Sequence, residues 1–224
     1  MVDQKRSIRP QAVLFDLDGT LLDTLEDLGN AMNRVLAKAG FWTHPLDTYR
    51  DFIGQGFVWL VTQALPPSER NDSTIHHCIE ALREEYGRMW NVRTRTYDGV
   101  GEMLDALADR GVRMAVLSNK PDDFTKRCVA ELLSGWTFDL VLGQRDGVPP
   151  KPDPAGALEV ARELSLPPAA FLYLGDSAID MKTAVAAGMF PVGVLWGFRP
   201  VEELEKGGAQ ALIREPMEIL GLLD

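Results

Sequence analysis

Two rhythms of apolar and polar residues alternate along the chain. Ala12-Val13-Leu14-Phe15 is an unbroken apolar run, too short for a helix and apolar on both faces, as in a buried strand. Helical spacing follows over about residues 24–39, where Leu25, Leu28, Met32, Val35 and Leu36 form one stripe and Gly40 ends it. Asp23 and Thr24 stand where helix-capping residues belong. From residue 41 to about 96 no strand is expected. Residues 57–64 read as a helix, Pro66-Pro67 breaks it, and residues 73–90 read as a second, with Ile75, Ile79, Leu82, Tyr86 and Met89 on one face.

After Tyr97 the short apolar runs return. Strands are expected at residues 114–117, 140–142, 171–174 and 191–195, and helices at 99–110, 124–133, 154–164 and 179–187. A last strand–helix pair is expected at 211–213 and 217–223. Alternation of this kind predicts an α/β fold, a doubly wound parallel sheet. The helical stretch interrupts it after the first unit and should form an inserted all-helical cap. Residues 11–23 and 97–224 are then the core and 24–96 the cap.

Composition narrows the function. The chain has 224 residues and is 46% hydrophobic, enough for a sizeable core. Its net charge of −10 argues against nucleic acid as the main ligand but leaves small phosphorylated metabolites open. Cys78 and Cys128 are isolated and in no metal-binding spacing, so reduced thiols and a cytoplasmic location are expected. No stretch is long and apolar enough to span a membrane, and residues 1–10 read as a short polar leader. Monomer and homodimer both fit, since no coiled-coil heptads appear.

In open α/β sheets ligands sit beyond the carboxyl ends of the strands. Three expected strands end in polar groups there: Asp16 and Asp18, Ser118 and Asn119, and Asp176. Lys151 lies in the loop Pro149-Pro150-Lys151-Pro152-Asp153-Pro154. Two carboxylates two positions apart at a strand end point the same way, and Gly19 lets the chain turn at once. Such crowding needs a cation or a shared proton.

Asp16-Leu17-Asp18-Gly19-Thr20, Leu117-Ser118-Asn119-Lys120, Lys151-Pro152 and Gly175-Asp176-Ser177-Ala178-Ile179-Asp180, in this order, resemble the haloacid dehalogenase superfamily with a helical cap. The resemblance implies a phosphomonoester hydrolase working through an aspartyl-phosphate. Asp16 would be the nucleophile and Asp18 the acid and base. Ser118, the Asn119 amide, Lys151 and Thr20 would bind phosphate. Asp16, the carbonyl of Asp18 and Asp176 would hold Mg²⁺, and Asp180 would steady Lys151 or a metal-bound water. An acid two positions after the nucleophile favours phosphate chemistry over dehalogenation.

Within that superfamily the chain most resembles phosphoglycolate phosphatases, through Phe52-Ile53-Gly54-Gln55-Gly56, Ser118-Asn119-Lys120-Pro121 and Trp196-Gly197-Phe198. Gly54, Gln55 and Gly56 match a cap loop facing the active site, although a simple turn fits equally well. Asp98 departs from the proline common at that position. Another small phosphate ester, pyrophosphate, a phosphomutase reaction and a silent binding protein remain as alternatives. His44, His76 and His77 are assigned no role, and Trp59, Trp90 and Trp136 are read as packing residues.

Overall fold

All four side chains of β1 (Ala12–Phe15) are apolar and fully buried. A strand covered on both faces calls for neighbours on both edges and helices on both sides. In the computed structural model, which describes residues 9–223, β1 has both. The expected polar leader lies mostly outside the described residues.

The chain continues through β2 (Leu22–Asp23), α1 (Leu25–Lys38), α2 (Tyr49–Phe52), α3 (Gly56–Ala64), α4 (Asp72–Met89) and β3 (Arg95–Thr96). It then alternates: α5 (Val100–Asp109), β4 (Arg113–Pro121), α6 (Asp122–Leu132), β5 (Leu140–Gln144), α7 (Ala155–Glu163), β6 (Phe171–Gly175), α8 (Ala178–Ala187), β7 (Phe190–Val194), α9 (Val201–Gly207) and β8 (Ala211–Ile213). A 3-10 helix, Pro216–Leu222, follows. The main sheet is parallel, in the order β5-β4-β1-β6-β7-β8.

The two-residue period of the strands divides the core. Val13 and Phe15, with Met114, Val116, Leu172 and Leu174, join an apolar cluster that includes Leu104 of α5 and Phe124 of α6. Ala12 and Leu14, with Ala115 and Tyr173, face the opposite cluster with Val160 of α7 and Ala184 of α8. The sheet is therefore wound on both sides. The chain leaves β1 toward β4 and β5, then returns to β6 on the other edge. That reversal beside β1 opens a crevice at the carboxyl ends of β1, β4 and β6.

The helices α1 to α4 pack on one another, α1 chiefly on α4 and α3 on α4. Of the face expected on the long helix, Leu82, Tyr86 and Met89 are buried, while Ile75 and Ile79 are half-buried.

Several expectations need correction. A strand does occur before residue 97: Arg95–Thr96 pairs antiparallel with Leu22–Asp23, tying the two ends of the helical stretch together. The strand expected to end at Leu117 runs to Pro121, through a register shift against β5. α9 was not expected, and the last segment is a 3-10 helix. Thr24 occupies the N-cap of α1, but its buried hydroxyl has no hydrogen-bond partner. The Asp23 carboxylate instead accepts the Leu25 amide at 3.3 Å.

Candidate active site

β1 ends at Phe15, so Asp16 is the first residue past the sheet. Its backbone amide still donates to the Leu174 carbonyl at 2.9 Å, and its Oδ1 accepts the Leu17 amide at 2.7 Å. Main chain on both sides thus fixes this carboxylate. Gly19 has φ +86°, and a Cβ there would overlap the Asp176 carboxylate. Only glycine lets the turn after β1 pass this close to the end of β6.

Lys151 reaches into the same rim. Its ammonium donates to Asp16 at 2.8 Å, to Asp180 Oδ1 at 2.7 Å and to the Leu117 carbonyl at 3.1 Å. Three acceptors use its three protons. Asp180 is fixed in turn by a reciprocal cap on α8: its Oδ2 accepts the Ser177 amide at 3.1 Å and the Ser177 hydroxyl at 2.6 Å. The expected contact of Asp180 with Lys151 is therefore present. Asp176 Oδ2 accepts the Phe198 amide at 2.7 Å, so the loop after β7 also shapes the site.

Asn119 has a use the sequence did not suggest. Its side-chain oxygen accepts the Lys151 amide at 2.8 Å, and its side-chain amide donates to the Lys151 carbonyl at 3.0 Å and to the Gly54 carbonyl at 3.1 Å. One side chain thus joins β4, the lysine loop and the loop between α2 and α3. Lys120 stands in the motif but was given no role. It is buried and donates to both oxygens of Asp18, at 2.8 and 3.1 Å, with the face of Tyr86 4.8 Å from its nitrogen. The signal was adjacency to Ser118 and Asn119. A lysine at a strand end reads as solvated until the burying helix is placed.

Four carboxylates, Asp16, Asp18, Asp176 and Asp180, face two ammonium groups, Lys120 and Lys151, in a buried site. Burial, followed by the charge of Asp180, pushes Asp16 up to about 7. Burial, followed by Asp180 and Asp16, raises Asp176 well above the carboxylate range. Burial opposes the charge on Lys151, but Asp16 and Asp180 outweigh it and hold its pKa well above that of free lysine. This excess of negative charge is what a bound cation would relieve. Asp16, Asp176 and Asp180 offer carboxylate oxygens all within 4.8 Å of one another. The donors are hard oxygens, which suit Mg²⁺. Because Asp180 is engaged by Lys151 and Ser177, Asp16 and Asp176 are the freer pair.

A narrow cleft opens over the two acids. It is lined by Asp16, Asp18, Ser118 and Lys120 on the sheet side and by Leu28, Ile53, Gly54, Gly56, Phe57 and Leu60 from the helical stretch. Thr20 and Gln55 are not among its lining residues. Thr20 is buried with its hydroxyl unpartnered, and Gln55 is exposed. Two larger cavities lie at the opposite ends of the strands, around Gln11, Arg113 and Asp139, away from these acids.

The comparisons with known proteins fit this geometry. The profile of the haloacid dehalogenase-like hydrolases matches residues 13–194. A phosphoglycolate phosphatase of Nitrosospira multiformis is 36% identical over 203 residues, covering 87% of this chain and 88% of that protein. One from Pseudomonas fluorescens is 34% identical over 201 residues, covering 87% and 74%. The crystal structure of a Lactobacillus delbrueckii protein, with a provisional phosphoglycolate phosphatase assignment, superposes with a TM-score of 0.90. Its identity is 29%, covering 96% of this chain and 99% of that one. The chain belongs to the haloacid dehalogenase-like hydrolases, and enzymes named phosphoglycolate phosphatase are among the relatives it resembles.

Proposed function

We propose that the protein is a Mg²⁺-dependent phosphomonoesterase acting on 2-phosphoglycolate or a similarly small phosphate ester. The observation that carries this reading is the buried pair Asp16 and Asp18 lining one cleft, with Lys151 on the first acid and Lys120 on the second. Relatives at 34–36% identity are named for a two-carbon ester, which supports the choice of substrate.

In this reading Asp16 attacks phosphorus and the bond to the leaving oxygen breaks. Asp18 gives that oxygen its proton. Asp18 then takes a proton from water, the water oxygen bonds to phosphorus, and the bond to Asp16 breaks to free phosphate. Lys151 holds Asp16 in place and balances charge on the phosphoryl oxygens. Ser118 and the backbone amide of Asn119 receive the phosphate. Mg²⁺, held by Asp16, Asp176 and the Asp18 carbonyl, would neutralise phosphoryl charge. Residues 24–96 act as the cap: they supply the apolar wall that excludes water and are joined to the core through Asn119 and through Arg199, which donates to the Ile53 carbonyl at 3.0 Å.

Phosphate release from 2-phosphoglycolate, other phosphate esters and pyrophosphate, with Mg²⁺ and with chelator, tests this. Mg²⁺-dependent release with phosphoglycolate preferred is expected. Absence of release from every compound would overturn the reading, and preference for a large ester would overturn its substrate.

A further inference from the structure

Lys151 and Lys120 are both buried in this site, yet their surroundings differ. Lys151 meets three acceptors. Lys120 meets one carboxylate, that of Asp18, and otherwise the ring face of Tyr86. An ammonium carries three protons: two meet the Asp18 oxygens, and the third has no oxygen acceptor among the described residues.

Its position gives that capacity a direction. Lys120 is the only cation among the residues lining the cleft, beside Ser118 and the two acids. The wall opposite is Leu28, Ile53, Phe57 and Leu60, which offers a negative charge nothing. The lysine is also held firmly. Tyr86 packs edge-on to Phe57 and Phe124, with centroids 6.1 and 5.0 Å away, and so closes one side of the ammonium. In so dry a setting an ion pair is stronger than in water.

Resting on the phosphomonoesterase reading, we propose that Lys120 is the specificity-determining cation for the leaving group, receiving a carboxylate carried by the departing alcohol. The substrate class is then the phosphorylated short hydroxy acid. Asp18 serves the ester oxygen, and Lys120 stands 2.8 Å from Asp18, within reach of a group carried close to that oxygen. The same ammonium orients Asp18 and reads the substrate, so Lys120 contributes to rate and to selectivity separately.

The test compares kcat/KM for 2-phosphoglycolate, ethyl phosphate and 2-phosphoglycolamide, whose carboxamide replaces the carboxylate without its charge. Wild type is expected to favour phosphoglycolate over both by about 10–100-fold, the size of one charge-assisted hydrogen bond. In Lys120→Met all rates fall because Asp18 loses its partner, but the preference collapses toward unity, mainly through KM. An equal loss on all three esters, with the preference intact, would reduce Lys120 to a partner of Asp18 and overturn the proposal. Should the variant fail to fold, wild type alone decides: equal rates on phosphoglycolate and its amide overturn the proposal. Hydrolysis of none of the esters defeats the phosphomonoesterase reading itself, and this inference with it.

Discussion

Replacing Asp180 with alanine separates two contributions of one carboxylate. Oδ1 holds Lys151 and Oδ2 closes the reciprocal cap with Ser177 at the start of α8. Lys151 keeps Asp16 and the Leu117 carbonyl after the substitution, so it is not stranded. The loss on that side is one charge-assisted hydrogen bond, about 2 kcal/mol. The cap adds about 1 kcal/mol. A total near 3 kcal/mol corresponds to a fall in Tm of roughly 6–12 °C for a domain of this size. Ser177→Ala removes only the hydroxyl side of the cap and should cost about 1 kcal/mol. Thermal and urea unfolding of both variants, alongside kcat, is the assay. Asp180→Ala should also lower kcat by about 10²-fold, because a reactive group held 1 Å out of place costs about that much. Equal stability of the two variants, with kcat unchanged in Asp180→Ala, would refute the claim that Asp180 holds Lys151.

Three further predictions follow from the same geometry. The burial-raised pKa of Asp16, about 7, means that the metal-free folded protein binds a proton the unfolded chain has released above pH 3.8. Stability without divalent cations should therefore fall as pH rises from about 4 to 7, and Mg²⁺ should flatten the slope; a flat metal-free Tm profile would contradict this. Asn119→Ala leaves the buried Lys151 amide without its acceptor and should cost about 1–3 kcal/mol, with a marked loss of kcat/KM; unaltered kinetics would show that the lysine loop holds itself. Arg199→Ala frees the loop at Ile53 and should raise KM more than it lowers stability, as checked by steady-state kinetics beside unfolding; an unchanged KM would count against a cap held there.

The sheet and most of the site were legible because the signal was local. Ala12–Phe15 is apolar on both faces and is followed at once by two acids and a glycine, so strand, turn and chemistry sit together. The same holds for Phe171–Gly175 before Asp176. What escaped notice depended on partners distant in sequence. Leu22–Asp23 and Arg95–Thr96 are strands only because they pair with each other, and two residues carry no period. α9 has few apolar positions, and only Leu204 is a buried apolar side chain in it. Lys120 is 102 residues from Asp18, and its burial depends on Tyr86 of α4. Thr24 illustrates the reverse: a residue typical of helix caps sits at the cap position, yet packing buries its hydroxyl without a bond.

The central claim is that Asp16 performs the chemistry. The direct measurement is phosphate release from 2-phosphoglycolate with Mg²⁺, by wild type and by Asp16→Asn of confirmed fold. Wild type should turn over steadily, and the variant should show no release above background. Turnover by Asp16→Asn within about tenfold of wild type would contradict it, since losing a nucleophile forfeits far more than one hydrogen bond.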